Sequence, residues 1–305
     1  MLPLLLVPVG VLVFLFGRHV LQPVEDGSAF LAVSTPVRAG AKPPATPRGP
    51  GVSTVPVITA AVDQAMPTVF LDPGHGGVDT GTIGATADGN SIYEKTIALA
   101  IVKRVAEHLR NDGVRVVMSR TDDALPGAQP SDYTSDGMLL TPNGVLADLQ
   151  RRIDRANQSK AAVLLSIHLN AFSDPSVGGT QTFYDGARPF ADQNQKFANL
   201  VQSNVIGAFQ AHGLAVPDRG ATDDQDLQTE SLGALSGSYN HIVLLGPAVS
   251  GRLRPSQMPG ALCEIVFLSN PPEADAVAQA EMQDAIAVAL TSAIEQYLRD
   301  QKKLT

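Results

Sequence analysis

Cysteine is nearly absent: Cys263 alone stands among 305 residues. An intrachain disulfide is excluded, and so is a cysteine-based zinc site; the lone thiol carries no information about redox compartment. Basic residues are also scarce, with 22 Lys and Arg against 30 Asp and Glu and a net charge of −8. Four of the basic residues (Arg18, Arg38, Lys42, Arg48) fall in the first sixty positions, leaving the remainder more acidic still. Nucleic acid is thereby excluded as a partner, because phosphate backbones are held by clustered Lys and Arg. No internal repeat and no second module are evident. What is present, 44% hydrophobic residues, suffices for one substantial core with a tail.

Residues 1–17 carry no charged side chain, and Arg18-His19 closes the run. The run lies at the lower edge of membrane-spanning length and lacks the basic residues that precede the apolar stretch of a signal peptide. Arg18 after it favours the opposite orientation under the positive-inside tendency. The expectation is an export signal or membrane anchor over 1–20, retained rather than cleaved; a start codon placed downstream of basic residues would leave the same pattern. Six prolines between positions 36 and 57, with Gly, Ala and Ser among them, describe an extended spacer, so 21–66 reads as a linker and 67–302 as a single catalytic domain. The expected location is extracytoplasmic, tethered or secreted.

From residue 68 strands and helices alternate. Thr68–Asp72, Val114–Ser119, Ala162–Ile167, Gly179–Tyr184, Ile242–Leu245 and Ala261–Phe267 read as strands. Lys95–Arg110, Val145–Ser159, Pro189–His212 and Glu281–Leu298 read as helices, the first with Ile97, Ala98, Ile101, Val102, Val105 and Leu109 near the 3.6-residue period. Such alternation implies an α/β fold with a parallel or mixed sheet covered on both faces. Ligands of such sheets sit at strand carboxyl ends, where two histidines fall. His75 follows the first strand on the glycine-rich turn of Leu71-Asp72-Pro73-Gly74-His75-Gly76-Gly77, and His168 follows Ala162–Ile167.

Two acids join them. Glu94 opens the first helix, where a carboxylate has an ordinary reason to be. Glu264 lies within the apolar strand Ala261–Phe267, where a buried charge is costly unless paired or bound to a cation. Two imidazoles and one carboxylate make a three-ligand zinc site with an open fourth position, and nitrogen donors with one hard oxygen suit zinc over magnesium or calcium. Zinc there would acidify water to around neutrality and polarise an amide carbonyl, while the second carboxylate shuttles a proton.

At this point the chain resembles the zinc-dependent N-acetylmuramoyl-L-alanine amidases that cleave peptidoglycan. The resemblance runs in order through LDPGHGGVDTG (71–81), YEK (93–95), MSRTDD (118–123), LQRRIDRAN (149–157), LLSIHLNA (164–171), RG (219–220) and CEIVFLSN (263–270). It implies a mixed sheet of about six strands flanked by helices, and one zinc ion held by His75, Glu94 and His168, with Glu264 as catalytic acid/base. It implies hydrolysis of the amide between N-acetylmuramic acid and the L-alanine of the stem peptide. A zinc peptidase acting on wall peptides and a non-catalytic wall-binding regulator are the alternatives.

Other histidines have plainer readings: His19 flanks the apolar run, His108 is a surface residue of the first helix, and His212 suits a helix end. His241 is a candidate to approach substrate. Arg152 and Asn157 are expected to anchor the second helix, and Asn170 to orient His168 or meet substrate. Two long connections, Leu125–Gly144 and Thr222–Pro259, are candidates for covering the site or setting substrate choice; the second holds Asp223, Asp224, Asp226 and Glu230. Related amidases are often gated by added segments, so a protein activator is a further expected partner.

Overall fold

A computed structural model describes residues 66–226 and 239–304. The expected anchor over 1–20, and the expected linker over 21–66 as far as residue 65, lie outside the described residues, as do 227–238 with Glu230. Three apolar runs became the centre of a sheet: β1 (Thr68–Pro73), with β5 (Val163–Asn170) and β8 (Gly260–Phe267) further along the chain. Strands buried on both faces need no polar alternation, which is why these runs are continuous. Among the described residues the others are β2 (Ile83–Ala85), β3 (Ser91–Tyr93), β4 (Arg115–Met118), β6 (Thr180–Tyr184) and β7 (Asp218–Asp223).

Six of them form one sheet in the order β4-β1-β5-β8-β6-β7, while β2 and β3 make a separate antiparallel hairpin. β4, β1, β5 and β8 are mutually parallel. β6 runs antiparallel to β8, and β7 follows β6. The sheet is therefore mixed and mostly parallel, as expected.

Helices cover both faces. On one face α1 (Glu94–Asn111), α3 (Ala191–Ala211) and α5 (Ala280–Asp300) share a core with Val69, Leu71, Leu165, Ile167, Cys263 and Ile265. The predicted stripe of α1 is buried throughout. On the other face α2 (Pro142–Ser159) brings Ile153 and Ala156 against Phe70, Leu164 and Leu262. Thr141 caps α2 by accepting the Gly144 amide at 3.0 Å, and Pro142 occupies the first turn, where no amide donor is needed.

Several expectations are corrected. Ile242–Leu245 is not a strand: it is a turn closed by the Leu245 and Gly246 amides on the Ile242 carbonyl, and its side chains fill the second core. A short apolar run reports burial, not backbone geometry. β5 runs on through His168 to Asn170, so His168 lies inside a strand. The closing helix is preceded by α4 (Pro271–Ala278), capped by Asn270. β7 was unread because an edge strand, DRGATD, carries no apolar alternation. No helix among the described residues is long and apolar enough to cross a membrane.

Candidate metal centre

β1 ends in a turn whose backbone few residues tolerate. His75 has φ of 58°, with Gly76 at 139° and Gly77 at 55°. A left-handed conformation at a residue with a Cβ costs about 1–2 kcal/mol, so something must hold it. Two arginines do. Arg152 donates to the carbonyls of Pro73 (3.0 Å) and His75 (2.7 Å), and Arg120 to those of Pro73 (3.1 Å) and Gly74 (2.7 Å). Arg152 is itself held by Asp72 at 2.8 Å and Asp148 at 2.7 Å. Burial alone would raise the Asp72 carboxyl, but Arg152 and hydroxyl donors including Ser166 (2.6 Å) bring it down to about 2.

The His75 ring is oriented by Asp79, whose Oδ2 lies 2.8 Å from Nδ1, leaving Nε2 3.1 Å from Glu94 Oε1. His168 Nδ1 meets the same Glu94 oxygen at 2.9 Å, and the two rings stand edge to face at 5.0 Å between centroids. Glu94 is the first residue of α1 and is buried. Its Oε2 accepts the Thr82 amide at 2.7 Å and its Oε1 the Leu169 amide at 3.0 Å. A bulge between β5 and β8 after His168 accompanies the turn of the Leu169 amide towards Glu94. Glycines make the room: a Cβ on Gly74 would sit 2.3 Å from the His168 ring, and one on Gly81 2.5 Å from Glu94 Oε2.

Burial would lower the His75 pKa, yet Glu94 and Asp79 beside it hold it well above the ordinary value. Glu94 is the mirror case: burial opposes its charge, and the two imidazoles pull its pKa well below the usual range. One donor atom from each of His75, Glu94 and His168 lies within 4.8 Å of the others, close enough to share one cation. The donors fit zinc: two ring nitrogens, one carboxylate oxygen, and a carboxylate on the far nitrogen of His75.

Glu264 arrives from β8, in register with His168 on one side and Gln181 on the other. It is 3% exposed, and its Oε2 has no hydrogen-bond partner among the described residues. Burial first, then the neighbouring Glu94 charge, pushes its pKa well above the carboxylate norm against a smaller opposing effect of His75. The four residues singled out in the sequence thus come together.

The remaining candidates do not join them. His108 pairs with Asp284, and His212 bonds the Ala208 carbonyl at the end of α3. His241 sits with Asp185 and Asp224. Asn157 ties α2 to residues 255–257, as expected, while Asn170 accepts the next amide, that of Ala171. Arg152 does anchor α2, but through the His75 turn. Asp79 was missed, although an acid four residues beyond a histidine in a glycine-rich turn was the available signal. Lys95 was unread too: it bridges the Gly77 carbonyl and Asp123, both at 2.7 Å. Of the second long connection, Thr222 and Asp223 end β7, and residues 239–259 contribute Ile242–Leu245, Leu253 and Met258 to the core under α2.

Known proteins share this fold. Residues 69–296 match the family model described as N-acetylmuramoyl-L-alanine amidase. The germination-specific N-acetylmuramoyl-L-alanine amidase of Bacillus subtilis is 28% identical over 232 residues, 76% of this chain and 80% of that protein. A solved N-acetylmuramoyl-L-alanine amidase from Clostridium difficile 630 superposes with TM-score 0.54 at 30% identity, over 77% of this chain and 98% of that one. The CwlD amidase of Clostridioides difficile, solved in complex with the GerS lipoprotein, gives TM-score 0.55 at 26% identity over 77% and 99%. The chain belongs to the N-acetylmuramoyl-L-alanine amidase family.

Proposed function

We propose that this amidase is a zinc-dependent peptidoglycan hydrolase in which His75, Glu94 and His168 hold the metal and Glu264 is the acid/base. The reaction is hydrolysis of the amide joining the lactyl group of N-acetylmuramic acid to the L-alanine of the stem peptide. The observation that carries it is the meeting of two imidazoles and a carboxylate within 4.8 Å, with a buried, unpartnered glutamate on the next strand.

When bound, zinc supplies Lewis acidity to the amide carbonyl and to water. The chain's own groups do the rest. Asp79 keeps the Nδ1 proton of His75 so that Nε2 faces inward. Glu264 takes a proton from the attacking water and returns it to the departing alanine nitrogen. Its raised pKa makes it a stronger base than an ordinary carboxylate, which suits the proton-taking half of that exchange. The buried Arg120 and Arg152 keep the His75 turn from relaxing, so the donor set is prepared before substrate arrives.

The substrate places the domain on the wall side of the membrane, and the uncharged residues 1–17 support export or tethering. A protein activator is part of this reading, supported by the relative that was solved with a lipoprotein. The deciding experiment is digestion of purified peptidoglycan by the chain with and without a chelator, followed by mass spectrometry. New N-terminal L-alanine with intact glycan, lost on chelation and regained with zinc, is the expected result. Free amines elsewhere in the peptide would make it a peptidase, and no products would leave a wall-binding regulator.

A further inference from the structure

β6 runs against β8, with Phe183 opposite Leu262, so the end of β6 lies beside the beginning of β8. The end of β7 accompanies it, with Tyr184 opposite Asp223. Side chains that follow β6 and β7 therefore gather at the opposite end of the sheet from the His75 turn. Asp185 follows β6, Asp224 follows β7, and His241 precedes the buried Ile242–Leu245 turn.

Asp185 and Asp224 are completely buried, and the His241 side chain is 15% exposed. Each carboxylate has one oxygen fixed by backbone: Asp185 Oδ1 accepts the Ala187 amide at 2.6 Å, and Asp224 Oδ2 the Ile242 amide at 2.9 Å. Their other oxygens both face one atom, His241 Nδ1, at 3.0 and 3.2 Å. The imidazole nitrogen is within hydrogen-bond reach of Asp224 Oδ1, while Asp185 Oδ2 receives no hydrogen bond among the described residues. The nearby cation eases the Asp185 charge only through space. The Arg188 guanidinium is spent on the carbonyls of Leu245, Gly246 and Ser256 and on the Ser256 hydroxyl. Two buried carboxylates thus turn one oxygen each, with an imidazole nitrogen, toward a common point, all within 4.8 Å.

We propose that Asp185, Asp224 and His241 form a second divalent-cation site, structural in role and separate from the His75 centre. One nitrogen and two carboxylate oxygens suit a first-row transition ion such as zinc or manganese over calcium or magnesium, which favour all-oxygen shells. A dication there matches the charge of the two carboxylates and joins three segments distant in sequence: the ends of β6 and β7, and the turn that fills the core under α2. The inference does not depend on zinc at His75.

The test is metal stoichiometry of the full chain, stripped with chelator, reloaded with zinc and measured by mass spectrometry with circular dichroism as a folding control. Two equivalents are expected in the native chain, and one in either the Asp185→Asn/His241→Ala or the His168→Ala chain. Should the first variant fail to fold, the His168→Ala chain decides alone: titrated with cobalt, it should develop the visible absorption of one bound ion. One equivalent in the native chain and none in the His168→Ala chain would overturn the proposal. So would two equivalents surviving in a folded Asp185→Asn/His241→Ala chain. If the native chain holds one ion that only the Asp185→Asn/His241→Ala pair removes, the second site stands and the reading of His75 fails.

Discussion

Replacing Arg152 by Met tests whether the His75 turn is held by charge. The guanidinium is 5% exposed and makes four contacts of 2.7–3.0 Å, to Asp72, Asp148 and the carbonyls of Pro73 and His75. Methionine fills much of the volume but removes the counter-charge of two buried carboxylates and the donor to the His75 carbonyl, while Arg120 still reaches the Pro73 carbonyl. Removing one partner of a buried ion pair costs about 3–5 kcal/mol. Against a total stability of about 5–15 kcal/mol the domain remains folded in the cold. The melting temperature should fall by roughly 6–20 °C, taking about 2–4 °C per kcal/mol for a domain of this size. Below that transition the His75 turn, no longer held at φ of 58°, should relax, lowering zinc affinity about 10–100-fold. Thermal unfolding by circular dichroism and zinc titration against a competing chelator measure the two effects. The Asp72→Asn/Arg152→Met pair should lose about 0.5–3 kcal/mol less than the sum of the single changes, since each single change strands a charge. A melting shift under 3 °C with unchanged zinc affinity would refute the reasoning.

Glu264→Gln should retain zinc and melt at the native temperature or above, because the amide keeps the shape and carries no charge to desolvate, while turnover of muropeptides is abolished; persistent turnover would sink the assigned role. Gly74→Ala places a Cβ 2.3 Å from the His168 ring, so the ring must move: about 1–3 kcal/mol of stability should go, and bound zinc with it, as read by melting and metal content. Acid unfolding has a definite sign at Asp72. Its folded pKa of about 2 lies below the ordinary value of 3.8, so its contribution, about 2 kcal/mol, is complete above the unfolded value and disappears as pH falls through about 2. Asp72→Asn should flatten that part of the stability profile, and an unchanged profile would remove the assignment.

How far the residues could be read depended on whether their pattern was local. The stripe Ile97–Leu109 and the runs in β1, β5 and β8 declared their elements, because burial on a helix face or on both sides of a strand leaves its own period. The stretch Ile242–Leu245 had the same composition as a strand and became a turn, since its amides close on themselves. β7, at the sheet edge with intermediate or exposed residues, had no pattern to show. Around the candidate metal centre, the histidines were legible from the apolar runs they follow and Glu264 from a misplaced charge, while Glu94 had only an ordinary place at a helix start. The roles of Asp79, Arg120 and Lys95 were not, because each acts on backbone or a ring nitrogen at a place only folding defines.

Taken alone, the amino-acid order determined the α/β class, the central strands and the amphipathic α1, and offered His75, Glu94, His168 and Glu264 as candidates, because periodicity and unusual chemistry are properties of neighbours along the chain. Tertiary structure alone decided that β6 runs backwards against β8, and so brought Asp185, Asp224 and His241 to one point. It also decided that two buried arginines hold the left-handed His75. Distances between residues far apart in sequence follow from strand direction and packing, and no local pattern encodes them.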